Sequence, residues 1–221
     1  MRLALIAALI ACTPATAAAP SAWRSLSNGR DFAGWSGFKG APVPTKWRVQ
    51  DGAFTLGRDG TGGDLVTADS FGDFELELEW KISAGGNSGI LYFVRELADT
   101  DQTYLTGPEM QVLDDARHAD GKLPSHRAGA LYDLIVPASA AARPVGQWNK
   151  VRILSRDGRI EHWLNGKRVV ATRYGDPAWN RRVAESKFAA MPHFAREPRG
   201  KIALQDHGDA VWYRNIRIRT F

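Results

Sequence analysis

Residues 73–82 read DFELELEWKI. In an extended chain Phe74, Leu76, Leu78 and Trp80 fall on one side, and Glu75, Glu77, Glu79 and Lys81 on the other. A contrast this strong at period two describes a strand with one face in a core and one in water. The same reading extends outward. KWRVQDGAFTL (46–56) is two short strands about Asp51-Gly52, a dipeptide suited to a tight hairpin. SGILYFVRE follows the turn at Gly85-Gly86-Asn87, and PEMQVLD (108–114) and GALYDLIV (129–136) read as the next two strands. Residues 147–172 hold three strands about Asp157-Gly158 and Asn165-Gly166, and residues 200–221 read as a closing hairpin about His207-Gly208-Asp209.

Only PAWNRRVAESKFAAMPHF (177–194) departs from this, with Trp179, Val183, Lys187, Phe188 and Met191 at helical spacing. Roughly ten to twelve strands with turns between them predict an all-β fold. The expected architecture is a sandwich or jelly roll of two antiparallel sheets with one short surface helix, in a single domain over 23–221. At 221 residues, 44% of them hydrophobic and 24% charged, the chain is long enough to bury its own core. The net charge is +5, but the basic residues are scattered, and in RNIRIR they alternate with isoleucine as in a half-buried strand. This spacing argues against a nucleic-acid partner.

Residues 1–19 form an export signal: Arg2, the apolar run Leu3 to Ala11, Pro14, then small residues in an A-x-A pattern. The run is too short to span a bilayer. The expected location is periplasmic or secreted. Cys12, the only cysteine, stands in LIAC, which is similar to a lipoprotein box. A signal ending before Cys12, with a lipid anchor at that residue in the outer membrane, is therefore the alternative.

Strand alternation also sorts the polar residues. Met110 and Val112 belong to the core, so Glu109 and Gln111 face away from it. By the same rule Arg95 shares a face with Gly89, Leu91 and Phe93, and Gln205 and His207 share one with Lys201 and Ala203. On a curved sheet Arg95, Glu109, Gln111, Gln205 and His207 would line the concave side. A partly buried carboxylate there is a candidate general base, which singles out Glu109. His207 sits at a strand end, on a rim where function often gathers. His118 and His126 share a polar loop with Asp114, Asp115 and Asp120. These are metal-ligand types, but their spacing matches no standard zinc motif, so the metal question stays open. His162 and His193 read as structural or surface residues. Trp163 and Tyr132 are candidate stacking platforms for a sugar. No Gly-x-Ser-x-Gly elbow is present, and GGNSGILYF lacks the ending of a phosphate loop.

An ordered series of motifs spans nearly the whole domain: LSNGRDFAGW, WRVQDGAF, FGDFELELEWKISAGGNSGILYFVRE, GPEMQVLDD, HRAGALYDLI, GQWNKVRI, EHWLNGKRVV and GKIALQDHGDAVWYRNIRIR. Through it the chain resembles the 3-keto-disaccharide hydrolase domain family. The resemblance implies a concanavalin A-like jelly roll in an exported enzyme that cleaves glycosides oxidised at C3. It implies a polar lining of Asn87, Ser88, Arg95, Glu109, Gln111, Asp114, His126, Arg127, Tyr132, Gln205 and His207. A 3-keto group acidifies the C2 proton, so a base there releases the C1 aglycone by β-elimination, and water then completes a net hydrolysis. Glu109 or His207 would be the base, and Arg95, Gln111 or His126 would hold the enolate. A divalent ion in place of those donors is compatible with this chemistry but not required by it. The alternative is a non-catalytic, lectin-like carbohydrate-binding domain, because fold does not fix function.

Overall fold

The structure is a computed structural model that describes residues 19–221 apart from Arg58. Residues 1–18, which include Cys12 and nearly all of the export signal expected over 1–19, lie outside the described residues. In chain order the strands are β1 (Arg24–Ser25), β2 (Trp35–Gly37), β3 (Trp47–Gln50), β4 (Ala53–Leu56), β5 (Leu65–Thr67), β6 (Phe74–Ile82) and β7 (Asn87–Val94). They continue with β8 (Glu109–Leu113), β9 (Asn149–Arg156), β10 (Arg159–Leu164) and β11 (Lys167–Arg173). After helix α1 (Pro177–Glu185) come β12 (Lys201–Leu204) and β13 (Val211–Thr220). One sheet runs β11-β10-β9-β6-β13-β4-β3, with β1 paired to β13; the other runs β2-β5-β12-β7-β8. All pairings are antiparallel, and the two sheets form a jelly-roll sandwich.

β6 sits at the centre of the larger sheet and buries Phe74, Leu76, Leu78 and Trp80 against Ile90, Tyr92, Met110 and Val112 of the smaller one. Its glutamates face outward into a ladder of cations. Glu79 meets Arg214 at 2.6 Å, Glu77 meets Arg217 at 2.5 Å, and Glu75 is held by both Arg152 and Arg219. His162 lies in the core, where Tyr92 Oη and the Gly129 carbonyl contact its ring nitrogens at 3.1 and 3.2 Å. Burial lowers its pKa to about 4, so it is neutral and structural. His193 is at the surface, beside Asp99 at 2.7 Å.

Four sequence expectations are corrected. The segment 129–136 is not a strand: it lies along β8 through a single bridge from Leu131 to Met110. Positive φ values at Gly129 (87°) and Asp133 (58°) turn its backbone out of an extended path. The segment 200–221 is not a hairpin, because β12 belongs to the small sheet and β13 to the large one. Ile202 and Leu204 enter the core from one side and Val211 and Tyr213 from the other, so the turn at 207–209 crosses between layers. The helical stretch stops at Glu185. Asp176 caps its start by accepting from the Trp179 N–H at 2.7 Å, and extended Ser186 then caps a separate 3-10 turn, Lys187–Ala190.

The fourth correction decides a site residue. Leu91 stands opposite Ala203 and Val94 opposite Lys201, so three steps along β7 match two along β12. This is a β-bulge, with Phe93 at φ 58°. Phe93 joins Tyr92 in the core, their ring centroids 5.1 Å apart, while Val94 packs with Leu91 on the other face. Alternation therefore slips after Tyr92, and Arg95 does not share the face of Glu109.

Candidate active site

Across β7 and β8 the register places Gly89 opposite Gln111 and Leu91 opposite Glu109. The sheet face turned away from the core carries Asn87, Glu109 and Gln111, joined by Gln205 and His207 just beyond β12. Tyr104, Gly107 and Tyr132 add to the walls, as do Lys187 and Phe188 of the 3-10 turn, around a cavity of about 150 Å³. That is below the roughly 300–1,000 Å³ of drug-sized sites and suits a single small ring. Gly89 leaves room for the Glu109 side chain: a Cβ there would overlap the carboxylate.

Glu109 is only 7% exposed and, among the described residues, makes no ion pair. Burial pushes its pKa up to about 8; the Lys187 ammonium opposes this, while Asp64 and Asp120 reinforce it. Asp64 is also raised by burial, against hydrogen bonds from the Thr103 hydroxyl and the Asp206 N–H. The Tyr132 ring lies between His126, 4.3 Å away, and Lys187 Nζ, 4.2 Å from its centroid. Burial first, then the charges of Asp120 and Glu109, push its phenol upward, so it remains protonated.

Two amides connect the two acid–base candidates. One end of the Gln111 amide faces Glu109 Oε1 at 2.9 Å and the Ser88 carbonyl at 3.2 Å, so that end is the NH₂. Its oxygen then takes a hydrogen bond from the Asn87 amide at 3.2 Å. The far end of Asn87 lies 3.3 Å from His207 Nε2. That contact engages Nε2 and leaves Nδ1 as the ring nitrogen open to another partner. Gln205 Oε1 is buried on the cavity wall with no hydrogen-bond partner among the described residues, an acceptor open to a hydroxyl.

Of the residues singled out in the sequence, Asn87, Glu109, Gln111, Tyr132, Gln205 and His207 meet at the cavity. His126 stands behind Tyr132, with Nε2 3.1 Å from Asp133 Oδ1. Asp133 also accepts from the Lys187 N–H at 3.1 Å, which ties this layer to the turn carrying the ammonium. Four others are not brought to the cavity. Ser88 points into the core, 2.8 Å from Tyr213 Oη, because it precedes the bulge on the inward parity. Arg95, displaced by the bulge, pairs with Glu197 at 2.9 Å. Asp114 accepts from the backbone of Gly85 and Ala116, which closes a loop. Arg127 donates to the Gly121 carbonyl at 2.9 Å.

Trp163 lies on the outer face of the large sheet, near Arg152 and Arg168 and donating to Glu161, and is not at the cavity. The loop does not gather its own carboxylates about His118 either. Asp115 holds the Ala128 N–H, and His118 turns toward His207 and Asp209 instead. Tyr104, Phe188, Asp64, Asp209 and Lys187 were missed. For Lys187 a signal exists: it is a cation on the apolar side of the helical pattern, where Trp179 and Val183 predict a hydrophobic residue.

A jelly roll with a small polar cavity sunk into one sheet has the build of a carbohydrate-handling protein. A buried carboxylate, an ammonium and an imidazole inside that cavity place this one with the enzymes. The chain belongs to the family of the 3-keto-alpha-glucoside-1,2-lyase-like domain, which it matches over residues 22–219. It is 36% identical to the 3-keto-disaccharide hydrolase of Bacteroides thetaiotaomicron, across 89% of this chain and 77% of that one. Two solved structures from Parabacteroides distasonis, both provisionally described as glycosyl hydrolases, share the fold. One is 34% identical with a TM-score of 0.82, over 90% of this chain and 94% of that one. The other is 26% identical with a TM-score of 0.70, over 91% and 100%. The protein is thus an enzyme of a glycoside-cleaving family.

Proposed function

We propose that the cavity accepts a glycoside oxidised at C3 of the sugar ring and cleaves it by elimination, with Glu109 as the group that exchanges a proton with C2. The observation that carries this reading is the Glu109 carboxylate itself. It is buried, has a pKa of about 8 and stands beside a single cation, Lys187. A carboxylate so placed is a stronger base than an ordinary glutamate, and its pKa lies near working pH. A pair of carboxylates flanking a glycosidic bond would support ordinary hydrolysis instead. Among the described residues Glu109 is the one carboxylate on the cavity wall.

Glu109 takes the C2 proton, and the electron pair moves into the C3 carbonyl as an enolate. The enolate then expels the C1 oxygen, which takes the proton held by Glu109 and leaves as the aglycone alcohol. Water added at C1, with a proton returned to C2, gives the free 3-keto sugar. The Lys187 ammonium supplies positive charge where the enolate forms, and Gln205 Oε1 accepts a ring hydroxyl. Similarity to a 1,2-lyase-like family and to a hydrolase supports the same route, since the two outcomes differ by the water step. Export belongs to this reading; its support is the signal pattern of residues 1–19.

Incubation of matched 3-keto and ordinary glucosides in D₂O tests the proposal. The expected result is aglycone release from the keto sugar alone, with deuterium at C2 of the product. Equal turnover of the unoxidised glycoside, or release with no deuterium at C2, overturns it.

A further inference from the structure

We propose that His118, His207 and Asp209 bind one divalent first-row transition-metal ion at the edge of the cavity. The three residues come from two separate segments: the loop after β8 and the crossover between β12 and β13. Their ligand atoms lie within 4.8 Å of one another, and the two imidazole rings meet edge to face with centroids 6.0 Å apart. Bonds of roughly 2.0–2.2 Å to a shared ion would draw such a set slightly closer together. Two imidazoles and one carboxylate suit zinc, cobalt, iron or manganese and leave coordination positions open.

Asp209 and His207 are each oriented by a second contact, as metal ligands usually are. Asp209 Oδ2 accepts from the Asn87 N–H at 3.1 Å. The Asn87 amide lies against His207 Nε2, which leaves Nδ1 as the ring nitrogen free to ligate. His118 Nδ1 accepts from the Asp120 N–H at 3.1 Å, which keeps its proton on Nε2. Ligation through Nε2 needs the other tautomer, so His118 gives up the Asp120 contact when the ion enters. The cost is one backbone hydrogen bond, exchanged for one ligand.

His207 also lines the cavity, so the open positions border the place where the sugar sits. There the ion would polarise the C3 carbonyl and chelate a neighbouring hydroxyl oxygen. That role rests on the elimination reading; the binding of the ion does not.

The test uses the intact protein, stripped with a chelator and titrated with Co²⁺ or Zn²⁺ in the absence of sugar. Calorimetry and the visible spectrum of bound Co²⁺ are followed. One equivalent should bind at micromolar or tighter affinity. His118→Ala and Asp209→Ala should each weaken it at least about tenfold, with melting temperatures of the chelated proteins unchanged. Wild-type protein that binds no ion at millimolar concentration overturns the proposal, and so does affinity unchanged in both variants. Turnover of a 3-keto-glucoside by stripped and reloaded protein is measured beside it. A failed titration with active stripped enzyme removes the metal and leaves the elimination reading intact. A positive titration with no turnover in either state keeps the site and counts against that reading.

Discussion

Glu75 and Glu109 are both strand glutamates in this sandwich, only 3% and 7% exposed, yet folding drives them in opposite directions. Burial raises both. At Glu75 the guanidiniums of Arg152 and Arg219 outweigh burial and hold the carboxyl below its ordinary range. At Glu109 the one opposing cation is Lys187, and burial wins, up to about 8. The difference therefore lies both in the partners and in depth, since Glu109 is sunk fully into the protein and Glu75 lies nearer its surface. The outer face of the large sheet spends its carboxylates on a ladder of ion pairs, and the cavity keeps one unpaired and reactive.

The sharpest way to break this contrast is Glu109→Gln. Turnover of a 3-keto-glucoside should fall by about 10²–10⁴-fold, the range expected when a general acid–base group is lost. Stability should respond the other way. The folded state keeps a proton on Glu109 that the unfolded chain releases between the free value of 4.5 and about 8. Wild-type stability therefore declines as pH rises through that window, and the glutamine variant has no such decline. Thermal melts from pH 5 to 9 should show the variant gaining on wild type as pH rises; a gap independent of pH would show that Glu109 is not raised.

Lys187→Met sharpens the comparison by removing the one cation. The Glu109 pKa should rise further, moving the acid limb of the kcat/KM profile to higher pH, while the rate falls about 10–100-fold. A profile that stays in place would mean the ammonium does not act on Glu109.

Glu75→Gln should have the smallest effect on catalysis, within about twofold in kcat/KM. It leaves Arg152 and Arg219 facing each other, which costs about 1–2 kcal/mol at neutral pH in a denaturant titration. Because the folded pKa of Glu75 is depressed, its contribution is present above the unfolded value and is lost as pH falls through the folded one. The variant and wild type should therefore converge in acid.

Much of the site was legible because β8 is regular. Met110 and Val112 anchor one face of a period-two strand, so Glu109 and Gln111 had to share the other. Arg95 was misplaced because one extra residue at Phe93 reverses parity, and sequence alternation does not reveal where a bulge falls. The family resemblance puts Ser88 in the lining, but its parity places it with Ile90 and Tyr92, facing Tyr213 in the core. Asp64 and Asp209 carried no local signal, since each reaches its neighbours across long stretches of chain. The hydrogen bond from the Asp206 N–H to Asp64 spans 142 residues.

By itself the sequence determined the two-sheet architecture, the outward ladder of glutamates on β6 and the face on which Glu109 stands. These follow from local periodicity, which a strand obeys wherever it is placed. Only the tertiary structure decided that residues 200–221 cross between sheets and that His118 meets His207 and Asp209. It also decided that Lys187 swings from a helix-like stretch into the cavity. Each of these depends on how separate segments pack around one core, and the low polarity of that packing turns an ordinary glutamate at position 109 into an acid–base group.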